Sequence, residues 1–175
     1  MIDFTTTDYL RNGNEKQRRA YEVLSKYRIF EKLKDYAPVL AGTIPIGIDI
    51  EGSDLDIICE VDLRFEDDFL DDLAFSKCIP DDIDVKIEYP MIEGEKCITV
   101  NFTIEEFPVE IFGQNKPATE QKAYRHMMAE YRILQEKGED FKNEIIALKK
   151  QGIKTEPAFG ILLGLKNPYE DLLKF

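Results

Sequence analysis

Two aspartates separated by one residue, Asp54 and Asp56, form the pattern in this sequence that points most directly to chemistry. They open a run of alternating apolar and polar residues, which predicts a strand over 54–61. Since side chains alternate along a strand, both carboxylates point to one face and come within reach of a single ion. Two close carboxylates repel each other unless a cation lies between them. Oxygen ligands at this spacing suit Mg²⁺, which usually also binds substrate phosphates.

Small residues precede the two aspartates. Gly42 and Thr43 follow a short apolar run, and Gly47 and Ser53 come before Asp54. A glycine lets the backbone approach a ligand closely, and a threonine adds a hydroxyl and an N–H that can cradle phosphate. The segment therefore predicts a strand, a glycine turn and a second strand. It also predicts that a phosphate group binds at the turn, next to the metal ion.

This arrangement resembles the signature Gly-Ser-x3-Gly-x5-Ser-Asp-x-Asp of the nucleotidyltransferases related to DNA polymerase beta. Six residues of the chain fall at that spacing: Gly42, Thr43, Gly47, Ser53, Asp54 and Asp56. Thr43 stands in place of the serine, which keeps the hydroxyl and adds a branch. The resemblance implies that Asp54 and Asp56 hold two Mg²⁺ ions together with the triphosphate of an NTP. It also implies that Gly42, Thr43 and Ser53 bind phosphate through N–H groups and hydroxyls.

The same superfamily uses a third carboxylate on a later strand of its sheet. By resemblance, Glu110 takes this place, because it is an acid in the short strand 108–113 on the face opposite Val109 and Ile111. It would be the third metal ligand or the base that deprotonates an acceptor hydroxyl. The catalytic and metal-binding set implied by the resemblance is therefore Asp54, Asp56 and Glu110.

A closer resemblance covers nearly the whole chain. Segments 40–47, 52–57, 123–127 and 154–159 together look like the bacterial domain-of-unknown-function family 4269, which is grouped with the nucleotidyltransferase fold. This resemblance implies a fold and a site, and it implies no particular reaction.

The elements that would position these residues predict an α+β fold. We expect a mixed sheet with flanking helices in residues 1–113 and a helical region in residues 114–175, packed on the core as one compact unit. Periodicity and cap residues predict helices over 14–37, 65–76, 119–137 and 140–151, a further helix capped by Thr155, and a last turn opened by Pro168. The predicted strands are 39–41, 54–61, 108–113 and a hairpin formed by 83–89 and 98–104.

The helical region offers basic side chains for a nucleotide. If the helix over 119–137 closes over the sheet, Lys122 or Arg125 can meet the β- and γ-phosphates. Arg125 and Arg132 share a face of this helix, and a role as salt-bridged surface residues stays open for both. A packed structural role is likewise open for His126, the single histidine of the chain.

Charge and composition exclude several classes of protein. The chain has 35 acidic and 23 basic residues, a net charge of −12, which argues against a long nucleic acid or an anionic membrane as the main partner. No apolar run approaches the roughly 20 residues of a membrane helix, and the N-terminus lacks the features of a signal peptide. Three cysteines without metal-binding spacing predict reduced core thiols in a cytoplasmic protein.

Together these observations predict a Mg²⁺-dependent nucleotidyltransferase that moves an NMP group from an NTP to a small-molecule or protein acceptor. The alternative is a non-catalytic nucleotide-binding or antitoxin-like regulatory module of the same fold. Hydrolysis of a phosphate ester by the same acids is a third possibility.

Overall fold

The computed structural model describes residues 2–75, 78–80 and 82–175, and it confirms the predicted α+β class. In chain order the strands are β1 Val39–Ala41, β2 Leu55–Glu60, β3 Lys86–Glu88, β4 Met91–Ile92, β5 Glu95–Lys96, β6 Ile98–Ile104 and β7 Phe107–Gln114. Five of them form a mixed sheet in the order β1-β2-β7-β6-β3, while β4 and β5 pair separately. Only β2 and β7 pair in parallel among the described strands; the other pairs are antiparallel.

Helices flank this sheet. They are α1 Glu15–Lys26, α2 Ile29–Lys32, α3 Glu66–Phe75, α4 Lys122–Lys137, α5 Glu139–Lys150, α6 Thr155–Leu163 and α7 Pro168–Asp171, with short 3-10 turns between some of them. Every described element after β7 is helical. No described helix combines the length and apolar character that crossing a bilayer requires.

The predicted helix over 14–37 begins where expected but is interrupted. Asn14 caps α1 through its side chain, which accepts a hydrogen bond from the Gln17 backbone N–H at 2.8 Å, and the Gln17 side chain returns the contact. The α1 helix then ends at Lys26, because Arg28 adopts a left-handed conformation with φ of 55°. This break redirects the chain so that Ile29 and Leu33 enter the core, and the rest of the predicted helix is α2 and a 3-10 turn.

The predicted helix start at Thr119 and the predicted cap at Thr155 are both wrong. Thr119 lies within a 3-10 turn, and α4 begins only after Gln121, whose side-chain amide donates to the Cys59 carbonyl at 2.9 Å. Thr155 is the first residue of α6, and no side chain caps that helix. A contact with distant backbone therefore helps to fix the start of α4.

The predicted hairpin is present but incomplete. β6 is as predicted, whereas β3 is limited to three residues at the edge of the sheet, and Val85, Ile87 and Tyr89 are all more than 40% exposed. The turn at 93–95 closes the separate β4–β5 ladder. The end of the predicted helix 65–76 at Ser76 lies outside the described residues.

The two faces of the sheet bury two different apolar clusters. Leu55, Ile57 and Cys59 of β2 face α1, α2 and α3, as their alternation predicts. Ile58 faces the other way and packs with Met127 of α4 and with α6. Because Asp54, Asp56 and Glu110 alternate with the first set, the sheet directs them toward the helical region. All three cysteines are buried and free.

Candidate active site

The parallel pairing of β2 with β7 brings the three predicted acids together. Asp56 lies directly opposite Glu110 in this register, and Ala41 of β1 lies on its other side. Neighbouring strands are about 4.8 Å apart, so the two carboxylates occupy adjacent places on one face. Asp54 precedes β2 by one residue and projects from the same face. The result is a group of three carboxylates built from two segments that are distant in sequence.

Burial and mutual repulsion shift the pKa values in this group. Burial raises the pKa of Asp56 well above its usual range, and the charges of Asp54 and Glu110 add to the effect, while Lys149 opposes it. Burial also raises the pKa of Glu110, assisted by Asp54 and Glu88. A divalent cation would reverse these effects, since it stabilises the ionised form of every acid around it. Three carboxylates that destabilise each other's charge are therefore a donor set that fits Mg²⁺.

Gly42 has a steric role in this site. Its φ is 80°, and a Cβ at this position would overlap Oδ2 of Asp56. Glycine adopts such a backbone conformation without strain and leaves the space empty. The glycine of the signature therefore makes room for the Asp56 carboxylate; its predicted contact with phosphate stays a prediction.

The connection between β1 and β2 is held by the hydroxyl of its own Ser53 and by side chains of α1. The Ser53 hydroxyl accepts a hydrogen bond from the Ile50 N–H at 2.9 Å. From α1, Lys16 donates to the Ile50 carbonyl at 2.7 Å and Gln17 donates to the Ile44 carbonyl at 2.9 Å. Thr43 lies beside Ser53, with 3.5 Å between their hydroxyl oxygens. The segment that carries the predicted phosphate ligands is thus held in place before any ligand binds.

A cleft of about 750 Å³ opens over the three acids. Thr43, Ser53 and the acids line one side, and residues 152–156 between α5 and α6 line the other, together with Tyr169. The volume lies within the range of small-molecule sites. The cleft therefore has room for a nucleotide next to the acids.

Lys149 is a charged residue of this cleft that sequence reasoning did not single out. It is 6% exposed, and its ammonium donates to the Ile48 carbonyl at 2.7 Å. Burial lowers its pKa, while Glu130, Asp49 and Asp54 act in the opposite direction. A signal was present in the sequence, because Lys149 follows the buried Ile145 by four residues and so falls on the apolar face of α5.

The basic residues predicted on α4 are placed differently from one another. Lys122 lines a smaller cavity of about 330 Å³ that Gly42 and Asp56 also line, and it pairs with Glu93 at 2.7 Å. Arg125 is exposed and is not among the residues that line either cavity. The structure thus brings Lys122 near the acids, and the phosphate role of both residues stays a prediction.

Solved structures similar to this chain show its fold. Cid1 poly(U) polymerase matches with a TM-score of 0.54 at 13% identity, over 82% of this chain and 45% of its own. A cytoplasmic RNA terminal U-transferase matches with a TM-score of 0.52 at 13% identity, over 84% and 47%. The GLD-2/RNP-8 complex matches with a TM-score of 0.52 at 12% identity, over 90% and 63%. The chain has the nucleotidyltransferase fold and spans about half the length of the first two proteins.

The family follows from a match to residues 22–175. These residues match the family described as "Domain of unknown function (DUF4269)", so the chain belongs to that family. No curated protein matches the sequence.

Proposed function

We propose that this protein is a Mg²⁺-dependent nucleotidyltransferase that moves an NMP group from an NTP to a small-molecule or protein acceptor. The observation that carries the proposal is the convergence of Asp54, Asp56 and Glu110 at the β2–β7 pair, on the floor of a cleft with room for a nucleotide. The fold supports it, since similar structures include Cid1 poly(U) polymerase described with Mg and 3′-dATP bound.

In the proposed reaction Asp54 and Asp56 hold two Mg²⁺ ions with the NTP. When bound, the ions would stabilise the charge of the phosphates during in-line displacement. Glu110 either completes the metal site or takes the proton of the acceptor hydroxyl, and burial, which raises its pKa, suits it to accept that proton. The acceptor oxygen forms a bond to the α-phosphorus, the bond from that phosphorus to the bridging oxygen breaks, and pyrophosphate leaves.

Two of the proposed phosphate ligands, Thr43 and Ser53, line the cleft beside the acids. Ser53 accepts a hydrogen bond from Ile50, so its own O–H remains available to donate to a phosphate. Thr43 also lines the cleft, whereas Gly42 lines the smaller cavity that Asp56 shares. We assign Lys122 and Arg125 to the β- and γ-phosphates, a role for which Lys122 must leave Glu93.

The acceptor class follows from charge. A net charge of −12 disfavours a long nucleic acid, whose binding requires a basic surface. The similar structures include an RNA terminal U-transferase, so an RNA 3′ end belongs in the test as a competing acceptor.

The test is incubation of the purified chain with each of the four α-labelled NTPs, Mg²⁺ and a panel of acceptors. The panel contains small hydroxyl and amine compounds, proteins and an RNA oligonucleotide. Label is expected on a small molecule or a protein, and Asp54→Ala, Asp56→Ala and Glu110→Gln are expected to lower transfer at least about 100-fold. Glu60→Gln is the matched control, because Glu60 is an exposed acid of the same strand.

Titration of ATP with and without Mg²⁺ separates the alternatives. Mg²⁺-dependent binding without transfer to any acceptor would favour a nucleotide-sensing module. If no label is transferred and nucleotide binding is the same in wild type and in the Asp54→Ala, Asp56→Ala double variant, the proposed function is wrong.

A further inference from the structure

A second group of ligand-type side chains lies where α4 meets the start of α6. One ligand atom from each of His126, Glu130 and Glu156 lies within 4.8 Å of the other two. His126 and Glu130 are one turn apart on α4 and so share a face, while Glu156 is the second residue of α6. None of the three belongs to the signature that identifies the acids at β2 and β7.

The histidine of this group is buried with an unused nitrogen. His126 is 8% exposed, and its Nδ1 has no hydrogen-bond partner among the described residues. This nitrogen faces the group, since it lies 3.9 Å from Oε1 of Glu156, which is too far for a hydrogen bond. Buried polar atoms are nearly always satisfied, so an unpaired imidazole nitrogen indicates a missing partner.

The carboxylates of the group lack a matching cation. Glu130 is 4% exposed, and no described basic side chain forms a salt bridge with it. The charge of Lys149 partly offsets the burial of Glu130, but the Lys149 ammonium already donates to the Ile48 carbonyl. A buried carboxylate next to a second carboxylate is costly unless a cation or a proton neutralises it.

We propose that His126, Glu130 and Glu156 bind one divalent transition-metal ion of the Zn²⁺ class. One imidazole nitrogen and two carboxylate oxygens are ligands that zinc accepts, whereas Mg²⁺ prefers oxygen ligands alone. Bonds of about 2.0–2.1 Å require ligand atoms less than about 4.2 Å apart, so side-chain adjustments on the order of 1 Å close the site. Three protein ligands leave a coordination position for water.

The location gives this ion a structural consequence. The ion would join α4 to the start of α6, two helices that border the candidate active site. The 330 Å³ cavity that the three ligands line is also lined by Gly42 and Asp56, so the two metal sites would share a wall. The proposal does not depend on nucleotidyl transfer, because the ligands of the two sites are different residues.

The main test is metal content. The chain is stripped with a chelator, dialysed against Zn²⁺ with excess Mg²⁺ to occupy the oxygen site, and analysed for bound zinc. We expect one zinc per chain in wild type and in Asp54→Asn, and less than about a tenth of that in Glu156→Gln. Glu156 is suited to this test because its side chain is 26% exposed, so the variant is expected to fold.

Two controls make the measurement specific. Glu136→Gln carries the same substitution on the exposed side of α4 and is expected to keep its zinc. Circular dichroism of the metal-free proteins verifies that each variant has the wild-type fold.

Cobalt identifies the ligands. Titration with Co²⁺ is expected to produce visible absorption bands in wild type that weaken in His126→Gln and Glu156→Gln. Strong ultraviolet charge-transfer bands would instead indicate binding by the thiolates of Cys59, Cys78 or Cys97. Those bands, a wild-type protein without bound zinc, or variants that bind as much zinc as wild type would each overturn the proposal.

Discussion

In the metal-free protein, the ionised form of Asp56 is destabilised by the same burial and neighbouring acids that make up the candidate metal site. Its pKa is raised by burial and by the charges of Asp54 and Glu110. Each unit of such a shift corresponds to about 1.4 kcal/mol of differential stability between the protonated and ionised forms. A metal ion bound by these acids would therefore remove the cost of ionising Asp56 in the folded protein, in addition to binding the substrate phosphates.

This conflict predicts a pH dependence. Above the unfolded-state pKa of about 3.8, the unfolded chain loses the Asp56 proton while the folded chain keeps it, so the folded state binds more protons. The contribution of Asp56 to the free energy of unfolding of the metal-free protein therefore falls as the pH rises from about 4 through the raised pKa of Asp56 in the folded state. In Asp56→Asn we expect this fall to be smaller by about 1–3 kcal/mol, measured by urea denaturation across pH in chelator-treated samples. If stability falls with pH as steeply in Asp56→Asn as in wild type, this account is wrong. Glu60→Gln is the control and is expected to show the wild-type pH dependence.

Alanine substitutions at Gly42 and Gly52 separate the cost of a left-handed backbone conformation from the cost of a steric clash. Both have φ near 80°, but a Cβ at Gly42 overlaps the Asp56 carboxylate, whereas a Cβ at Gly52 meets no atom within 4 Å. Alanine at either position should cost about 1 kcal/mol for the backbone conformation. Gly42→Ala is expected to lose more stability than Gly52→Ala and to weaken Mg²⁺-dependent ATP binding at least about tenfold, since Asp56 must move. Calorimetric titration of the two variants checks this, and equal ATP affinity would refute it.

At the scale of elements, the segment between β1 and β2 is held from both sides of the molecule. Lys16 and Gln17 of α1 bond its carbonyls on one side, and Lys149 of α5 bonds the Ile48 carbonyl on the other. This segment carries Thr43 and Ser53, so its position depends on helices that lie far apart in the sequence.

Substitution of Lys149 tests whether the segment between β1 and β2 depends on these hydrogen bonds for its position. Lys149→Met keeps the apolar stem and leaves the Ile48 carbonyl unpaired, which we expect to cost about 1–3 kcal/mol of stability. Nucleotide binding should weaken as well, because a positive charge leaves the cleft. Thermal unfolding and ATP titration measure both effects, with the exposed Lys150→Met as control. Wild-type values for Lys149→Met in both assays would show that the anchor is dispensable.

The elements also show how far sequence reasoning reaches. The alternation of apolar and polar residues predicts β2 and β7 and the face of each side chain, because side-chain direction along a strand is fixed locally. The pairing of the two strands in the structure then places Asp56 beside Glu110. The break at Arg28 and the start of α4 after Gln121 were missed, since packing and distant hydrogen bonds set them. The position of Lys149 on the apolar face of α5 can be read from the sequence, but its partner at Ile48 cannot, because that carbonyl belongs to another segment.

At the scale of the whole molecule, the helical region covers one face of the sheet. Val39, Ala41 and Ile58 pack in one cluster with Met127 and Phe159, and all five are at most 4% exposed. We therefore propose that the core of residues 1–113 and the helical region of residues 114–175 fold as one unit.

Truncation tests this view of the molecule. A chain that ends at residue 113 would expose the apolar face of β1 and β2 and lose the part of the second apolar cluster that the helical region contributes. We expect it to aggregate or to remain without a cooperative thermal transition, whereas the full chain unfolds cooperatively. A soluble 1–113 fragment with a sharp transition and dispersed amide resonances would show instead that the core folds by itself.

The pairing of Asp56 with Glu110 also has a kinetic consequence. The two parallel strands are far apart in the chain, and such long-range contacts form slowly. A nascent or partly folded chain therefore holds the aspartates without their glutamate partner and has no complete set of acids. Catalytic competence would appear only once β2 and β7 have paired, so regain of activity during refolding would report formation of this long-range contact rather than early collapse.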